Sequence, residues 1–446
     1  MASVISGGPG YFDGMKLGKT HKRFLWLAAI VYIFDQADNA TFMYAAPSLM
    51  KVLHITPQQI ANINSMNFFG MFLGAIFGGW LSDKIGRKRA IMTTVTIFSV
   101  GSFLNAVVST YHLIAAARLI TGFGVIATVV IAMVYIAEMM PSENRGKYQG
   151  ITIASGSISL PLLGSFAAWI IPKGPDNWRI IFLVGSLGIF LLILIHFWFK
   201  ESPRWLLSKG RAKEAEALVE EISGRRLDLS EEYKKIPKKG SNAEALRVML
   251  SKEYFRRTFV LFFLTFGISG GSIFLTNFYT TALTMGGMAM TTVLTVTALS
   301  FWGIPVGDYT SSFFSDRGGR KMPIFIFALI EVVTFFVAGA TFLPGVIVIA
   351  LFIQKIFGAG ATTMVWTYLA ESFPTNVRNN VVGFIFGTVR LLVSGIQLTL
   401  PTLYLTLGWF GMNAANGAVI LICALIALVW GERTSKKSLE ELNRQV

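Results

Sequence analysis

The sequence predicts an all-α membrane protein with twelve transmembrane helices in two six-helix bundles. Only 14% of the 446 residues are charged and 53% are hydrophobic, whereas a soluble domain carries roughly 25% charged residues. Apolar stretches of about 20 residues, enough to span a bilayer, recur along the whole chain. Two polar motifs also recur at one spacing, which indicates a duplicated unit.

Apolar runs that end at glycine, proline or charged clusters predict the helices in order. The first six are expected at 24–50, 59–81, 90–109, 112–137, 147–171 and 178–199, and the second six at 257–283, 289–311, 322–343, 345–369, 379–406 and 408–430. The charged break between them predicts short amphipathic helices at Arg204–Gly224 and Ser241–Phe255. The resulting division is a tail at 1–23, a bundle at 24–199, a helical linker at 200–256, a bundle at 257–430 and a tail at 431–446.

The net charge of +15 comes from lysines and arginines that cluster in loops on one side of the predicted helices. Such loops are typically cytoplasmic, so we expect a multi-pass protein of the cell membrane with both termini in the cytoplasm. The same placement favours the lipid bilayer over nucleic acid as a partner. We expect a monomer.

Cysteine and histidine usage gives no sign of a metal site. Cys423 is the one cysteine and lies in an apolar run, where we expect it to face lipid or fill packing space. The histidines are dispersed, and no phosphate-binding loop or His-Glu-x2-His pattern occurs. We therefore expect no cofactor, no metal and no enzymatic activity.

Two loop motifs are repeated at one common spacing. The hexapeptide at 83–88 returns at 316–321, and the Glu-x2-Pro-x3-Arg pattern at 138–145 returns at 371–378. Position 83 corresponds to position 316 and position 138 to position 371, and we call this common spacing of 233 residues the repeat offset. We expect the motif charges to pair between neighbouring helices and to close a gate, although they could merely set topology. The predicted gating residues are Gly79, Asp83, Arg87, Glu138, Arg145, Asp316, Arg320, Glu371 and Arg378.

The pattern Gly79-x3-Asp83-Lys84-x-Gly86-Arg87-Lys88 resembles the loop signature of the major facilitator superfamily. Arg118-x3-Gly122 and the sequence at 201–206 are similar to its sugar-porter and metabolite:proton symporter branches. The resemblance covers nearly the whole chain. It implies a secondary active transporter that works by alternating access, with protons and a small molecule as its partners.

Seven ionisable residues lie inside predicted spans, where each would cost roughly 2.5 to 3.5 kcal/mol if it faced lipid. They are Asp35, Asp38, Arg118, Asp308, Glu331, Lys355 and Arg390. We expect them to face a hydrated cavity or one another. Asp308 is a candidate for a second protonation site, and Glu331 and Lys355 are expected to form interhelical bonds.

The acids of the first helix are the candidates for proton coupling. Asp35-x-x-Asp38 resembles the acidic pair in the first helix of metabolite:proton symporters. This resemblance implies that Asp38 carries the proton, with Arg118 as its partner and Asp35 in a supporting role. A permanent structural ion pair is the alternative.

Arg390 is the candidate for holding the substrate. Its position resembles an arginine in organic-anion and aromatic-acid transporters, and a guanidinium can bind a carboxylate through two hydrogen bonds. An ion pair with Asp308 or Glu331 is the alternative. Trp366 stands five residues before Glu371, as does a cavity tryptophan of sugar porters. Weaker substrate-binding candidates are Asn277, Tyr279 and Tyr44.

These residues lead to proton-coupled symport of a small organic anion as the first hypothesis, the anion being an aromatic or aliphatic carboxylate or a sugar acid. A sugar:proton symporter is the alternative, supported by Trp366 but weakened because the fifth and seventh helices lack the glutamines that sugar porters use. A drug or metabolite exporter is less favoured. A non-transporting sensor or a membrane enzyme would be a different class altogether.

Overall fold

The computed structural model describes residues 12, 15, 17–141, 148, 151–152, 155–229, 242–314, 320–374 and 377–432. The helices before the linker are α1 Lys19–Val52, α2 Pro57–Ile85, α3 Arg87–Val107, α4 Tyr111–Met139, α5 Ser155–Lys173 and α6 Trp178–Trp198. The linker contains α7 Pro203–Ser208, α8 Ala212–Ser223 and α9 Asn242–Leu250. The helices after it are α10 Lys252–Thr265, α11 Gly271–Thr276, α12 Tyr279–Met285, α13 Met290–Phe301, α14 Gly303–Phe314, α15 Lys321–Gly339, α16 Pro344–Glu371, α17 Arg378–Gln397 and α18 Leu400–Trp430.

Ten helical runs of the described residues are long and apolar enough to cross a membrane. The first helix, α1, is 34 residues long but carries several polar residues, and the seventh segment, made of α10, α11 and α12, is broken into short pieces. With these two, the chain has twelve spanning segments.

The duplication seen in the loops extends to the helix bounds. Moved along the chain by the repeat offset, α1 falls on 252–285, the bounds of the seventh segment. The same move places α4 on 344–372, and α16 ends only one position earlier. The two bundles therefore repeat not only a motif but the lengths and positions of their helices.

Close packing between helices repeats as well. A Cβ atom added at Gly70 of α2 would overlap the carbonyl oxygen of Leu119 on α4. A Cβ atom added at Gly303 of α14 would overlap the carbonyl oxygen of Phe352 on α16, and both residues stand at the repeat offset from their counterparts. Glycine is needed at both places because the backbones approach too closely for any side chain.

The seventh segment differs from the continuous helix predicted at 257–283. It begins earlier, at Lys252, because the Ser251 hydroxyl accepts a hydrogen bond from the Tyr254 backbone N–H and caps a new helix. It is interrupted by a π-helical turn at Phe266–Gly270, where a Cβ atom on Gly267 would overlap Cys423 of α18. Cys423 is buried, so it packs against this turn and does not face lipid.

The linker also departs from the two helices expected there. The helix predicted at Arg204–Gly224 is two, α7 and α8, because Gly210 has φ +74° and turns the chain. The helix predicted at Ser241–Phe255 ends at Leu250, since Ser251 starts the seventh segment. Residue 241 lies outside the described residues.

The last span is separated from the eleventh by Gly408. The run α18 contains a non-helical residue there, with φ +65° and ψ −172°, so the chain turns between the predicted spans 379–406 and 408–430. The eleventh span is itself interrupted after Gln397, where α17 ends.

The two bundles are joined by hydrogen bonds near one end of their helices. We call the end that carries the repeated loop motifs the motif face, and the other end the opposite face. Toward the opposite face, Ser65 and Ser394 are 3.0 Å apart, and the Thr280 hydroxyl donates to the carbonyl oxygen of Met43 at 2.6 Å. A side-chain amide at position 58 donates across the same interface to a backbone carbonyl at position 398, at 3.0 Å. The bundles are therefore closed together at the opposite face.

Candidate functional site

At the motif face of the first bundle, Arg87 joins three helices. Its Nε and Nη2 atoms donate to both carboxylate oxygens of Glu138 at 2.9 and 2.8 Å, and its Nη1 donates to Asp83 at 3.0 Å. Such a forked pair is both strong and directional. The predicted contact of Asp83 with Arg87 is present, and Glu138 is the better buried of the two acids.

A third carboxylate, Glu201, lies at the beginning of α3. Its Oε1 accepts hydrogen bonds from the backbone N–H groups of Arg87 at 2.7 Å and Ser202 at 3.0 Å. An acid is favourable at the N-terminus of a helix, where backbone N–H groups are unpaired. Burial raises the pKa of Glu201 above its usual value, and these N–H donors oppose that rise. The Trp205 indole also donates to the carbonyl oxygen of Asp83, at 3.1 Å.

The second bundle repeats the fork. Arg320 Nε and Nη2 donate to the two oxygens of Glu371 at 3.0 and 2.6 Å. Arg378 interacts electrostatically with Glu371 and donates to the carbonyl oxygen of Phe373 at 3.3 Å. Arg145 and Asp316 lie outside the described residues.

Gly79 is not one of the glycines required by close packing, since a Cβ atom added there would meet nothing within 4 Å. The predicted gating function of all these residues remains a prediction. What the structure establishes is that each described arginine of the repeated motifs contacts the acid, or the backbone, of its own bundle.

Asp38 and Arg118 form a buried ion pair between α1 and α4. Arg118 Nη1 lies 3.1 Å from Asp38 Oδ2, and the Ser102 hydroxyl on α3 donates to Asp38 Oδ1 at 2.5 Å. The side chains of the pair are only 1% and 2% exposed. The predicted contact is therefore present, and breaking it would leave a charge uncompensated in the interior.

A second group of polar side chains lies where the bundles meet. Tyr32 on α1 interacts electrostatically with Asp35 on the same helix, with Asp308 on α14 and with Arg390 on α17, and Asp35 also interacts with Arg390. Asp35 accepts a hydrogen bond from Gln36 at 2.8 Å through one oxygen, while its other oxygen is buried without a partner. This group, Tyr32, Asp35, Asp308 and Arg390, is called the central cluster below.

Asp308 connects the two bundles inside the central cluster. It accepts hydrogen bonds from the hydroxyl of Ser157 in α5 and from the hydroxyl of Thr363 in α16, the latter at 2.8 Å. Because α5 belongs to the first bundle and α16 to the second, this carboxyl group links the two bundles. Its hydrogen bond with Ser157 would have to break for the bundles to separate at this point.

Arg390 is the cation of the central cluster. Its guanidinium lies 5.8 Å from the centre of the Phe68 ring on α2, across the interface between the bundles. Among the described residues it forms no salt bridge, whether with Asp308, Glu331 or Asp35, so the alternative of a structural ion pair is not realised in this conformation. Its hydrogen-bond donors remain available to an anion.

The other predicted substrate-binding residues lie apart from the central cluster or use their polar atoms elsewhere. Trp366 is 42% exposed and stacks on Phe386 with ring centres 3.6 Å apart. The Asn277 amide donates to its own helix, and the Tyr279 hydroxyl donates to Asn413 at 3.1 Å. Tyr44 is fully buried and packs against a phenylalanine of α13, where the bundles are closed together.

Sequence reasoning missed the hydroxyl groups that contact the buried acids. Ser102, Ser157 and Thr363 are common residue types in spanning helices, and their spacing carries no signal. Glu201 belongs to a family motif, but nothing in the sequence around it indicates that it caps α3. The described residues contain no group of His, Cys, Asp and Glu that could hold a metal ion.

Twelve spanning segments in two repeated bundles, with ion pairs at one face and buried charges between the bundles, define a multi-pass membrane transporter of the major facilitator type. The chain belongs to the sugar (and other) transporter family, whose model matches residues 19–446. It is accordingly a transport protein and not an enzyme.

Relatives of known name or structure agree with this assignment. YyaJ of Bacillus subtilis, a protein named for metabolite transport, is 30% identical over 98% of this chain and 97% of its own length. The niacin transporter NiaP of Acinetobacter baylyi is 24% identical over 96% of this chain and 98% of its own. The Escherichia coli proton:xylose symporter XylE, solved with 6-bromo-6-deoxy-D-glucose, has a TM-score of 0.73 at 19% identity, covering 95% of this chain and 98% of its own. The predicted twelve-helix fold and family are confirmed.

Proposed function

We propose that this transporter carries a small organic anion, a carboxylate, together with protons. The observation that carries the proposal is Arg390, a cation at the interface between the bundles that has no salt bridge among the described residues. A guanidinium that is partly removed from water and has no direct counter-ion is costly, and a carboxylate ligand would relieve that cost through two parallel hydrogen bonds.

Asp35 compensates Arg390 while the site is empty. The two groups interact electrostatically without forming a salt bridge, and one oxygen of Asp35 has no hydrogen-bond partner. When a substrate carboxylate binds Arg390, the negative charge of Asp35 becomes unfavourable there, and protonation of Asp35 relieves the repulsion. Substrate binding and proton binding then favour each other, as symport requires.

Asp38 is the second acid in this proposal. Its pair with Arg118 holds α1 against α4, and its protonation would release Arg118 and loosen that contact. A change of hydration or of helix position during transport would therefore move the Asp38 proton on or off. The Arg87 and Arg320 forks then act as the gate at the motif face, which we place in the cytoplasm with both termini.

The niacin transporter among the relatives supports the substrate class. Niacin is an aromatic carboxylic acid, and the likeness to NiaP covers almost the whole of both chains. At 24% identity the likeness does not fix the substrate of this protein, but it makes nicotinate a sensible first probe.

The test uses the purified full-length protein in vesicles with labelled nicotinate. We expect accumulation when the outside is acidified and loss of accumulation when a protonophore is added. Arg390→Ala should weaken nicotinate binding about tenfold to a hundredfold, because hydrogen bonds to charged groups contribute roughly 1.5 to 3 kcal/mol. The control is Thr388→Ala on the same helix, whose hydroxyl donates to the carbonyl oxygen of Phe384 in that helix.

Three outcomes would overturn the proposal. Accumulation that ignores the protonophore would remove proton coupling. An Arg390→Ala variant with unchanged affinity for every carboxylate in a thermal-shift panel of sugar acids, aromatic acids and aliphatic acids would remove the anion site. Stabilisation by neutral sugars alone would establish the alternative.

That alternative, sugar:proton symport, is favoured by one observation. The exposed face of Trp366 is backed by Phe386 in a stacked arrangement, which would hold the indole rigid for contact with a sugar ring. Under this alternative Trp366→Ala should abolish stabilisation by the sugar, whereas under carboxylate transport it should leave binding of nicotinate within a few-fold of the original.

A further inference from the structure

A second buried charged cluster lies within the second bundle, away from the central cluster. Its acid is Glu331 on α15, whose side chain is 0% exposed. The Ser272 hydroxyl at 2.6 Å and the Gln354 amide at 3.0 Å both donate to the same carboxyl oxygen, Oε1. The other oxygen, Oε2, is buried and has no hydrogen-bond partner.

The base of this cluster is Lys355 on α16, also buried. Its Nζ donates to the hydroxyl of Thr276 and lies 5.2 Å from the centre of the Phe301 ring and 5.9 Å from that of Tyr279. It interacts electrostatically with Glu331, yet the two form no salt bridge. Acid and base thus lie near each other without direct contact, the acid bound by a hydroxyl and an amide and the base by a hydroxyl.

The cluster is not a copy of the ion pair in the first bundle. At the repeat offset, Asp38 and Arg118 correspond to Gly271 and Leu351, which cannot ionise. Nevertheless, equivalent segments of the two bundles provide the charged and hydroxyl groups. They are the first, third and fourth segments in the first bundle and the seventh, ninth and tenth in the second. Each bundle therefore contains an acid, a base and a hydroxyl, but among the described residues only the first bundle has its acid in direct contact with its base.

An ionised Glu331 would be poorly stabilised in this position. The only other titratable groups that face it from the described parts of the packed helices are Lys355 and Tyr279, and neither donates a hydrogen bond to it. Burial away from water favours the neutral form of a carboxyl group. A proton on Oε2 would remove the charge, and the Gln354 amide oxygen, buried and also without a partner, is an acceptor in the same cluster.

We propose that Glu331 is a further proton-binding site, within the second bundle, which takes a proton from water at Oε2 while Lys355 positions its charge nearby. The step converts one carboxylate into one carboxylic acid, and no other bond changes. The site is independent of substrate recognition, so it holds whichever molecule the central cluster binds.

The seventh segment connects this site to the first bundle. Ser272 and Thr276 are four residues apart on one face of α11, and Thr280 follows after four more residues, near the start of α12. They bond to Glu331, to Lys355 and to a backbone carbonyl oxygen of α1, respectively. We therefore expect a change in the protonation of Glu331 to alter the bond between Lys355 and Thr276. It should also alter the hydrogen bond from Thr280 that holds the two bundles together.

The test is infrared difference spectroscopy of the purified protein between alkaline and mildly acidic pH, with no substrate present. We expect to observe the carbonyl band of a protonated carboxylic acid. This band should be absent in Glu331→Gln, shifted in frequency in Glu331→Asp and present in Asp38→Asn. In Lys355→Met, removal of the neighbouring cation should move the midpoint of that band to higher pH.

Two results would overturn the proposal. One is a set of carboxylic acid bands that Glu331→Gln leaves intact. The other is a Glu331 carboxyl group that stays ionised at every pH tested and whose infrared bands change when sodium is added. Because no substrate is used, either failure leaves the proposed symport of a carboxylate untouched, and a failure of nicotinate uptake leaves this result untouched.

Discussion

The two bundles agree in the ion pairs at the motif face and differ in the charged residues inside their spans. Arg87 with Glu138 and Arg320 with Glu371 form the same forked pair at positions related by the repeat offset. In contrast, the buried acid of the first bundle lies on its first segment and that of the second bundle on its third. Duplication has therefore preserved the contacts that hold helices together, while the charged residues inside the spans stand at different positions in each half.

The largest effect is expected where the bundles are most alike. Gly70→Leu and Gly303→Leu should each abolish or severely reduce folded protein, because the new side chain would overlap the backbone of α4 or α16. Overpacking typically costs about 1 to 3 kcal/mol and more where backbone must move. The measurement is the monodisperse yield and the unfolding temperature in detergent.

Gly79→Leu is the matched control, since nothing lies within 4 Å of an added Cβ atom there. A variant of Gly303 that behaves like the control would show that the repeated contact matters in one bundle only.

The next effect separates the buried ion pair of the first bundle from the split cluster of the second. Asp38→Asn leaves Arg118 buried without its partner, which should cost about 3 to 5 kcal/mol of stability and abolish gradient-driven uptake of nicotinate while exchange continues. The double variant Asp38→Asn with Arg118→Gln should recover stability but not concentrative uptake.

Glu331→Gln is expected to cost much less stability, because no salt bridge to Lys355 is broken in the second bundle. Equal losses for Asp38→Asn and Glu331→Gln, or normal concentrative uptake by Asp38→Asn, would contradict the distinction between the two clusters.

A smaller difference is expected between the two forks. The acid of the first fork, Glu138, has a side chain that is 10% exposed, whereas that of Glu371 is 26% exposed, and Glu371 also has Arg378 as a neighbouring cation. Without its arginine, Glu138 would be an unpaired charge with less access to water than Glu371, which makes its loss of the ion pair more costly. Arg87→Gln should therefore shift the gate further toward opening than Arg320→Gln. Distances between spin labels placed across the motif face would report the shift, and identical distance distributions for the two variants would remove the asymmetry.

The smallest effect concerns Glu201, which caps α3 in the first bundle. Its pKa is raised above the usual 4.5 by burial, so the folded protein holds this proton more tightly than the unfolded chain does. The contribution to stability is therefore present below the unfolded pKa and is lost as the pH rises through the folded value. Glu201→Gln should slightly raise the unfolding temperature at neutral pH and leave it unchanged in mild acid. A lower unfolding temperature at neutral pH would mean that the charge is needed for capping.

The fold class could be predicted from the sequence, because hydropathy and the repeat of two motifs at one spacing can both be recognised in a single sequence. The charges of the loop motif also predicted the contact of Asp83 with Arg87, and the resemblance to metabolite:proton symporters implied that of Asp38 with Arg118. The sequence did not predict the break in the seventh segment. The glycines at 267, 270 and 271 weaken the helix there, and the packed structure adds that Gly267 lies too close to Cys423 to carry a side chain.

The candidate site was predicted in part, for a related reason. Charged side chains inside spans are rare enough to be noticed one by one, so Arg390, Asp308, Glu331 and Lys355 were all singled out. Which charge lies beside which depends on the rotation of each helix about its axis, which hydropathy does not reveal. The grouping of Arg390 with the first-helix acid, and of Glu331 with a serine of the seventh segment, therefore emerged only from the packed bundles.

The packing of Cys423 against Gly267 gives the protein a natural accessibility reporter. Because it is the one thiol in the sequence and is buried, maleimide reagents should spare the resting protein and label only cysteines that are introduced elsewhere. Reaction at Cys423 during turnover would mean that the seventh and twelfth segments have parted at the π-helical turn. The rate of that reaction would therefore time the movement of helices within the second bundle, separately from the rocking of one bundle against the other.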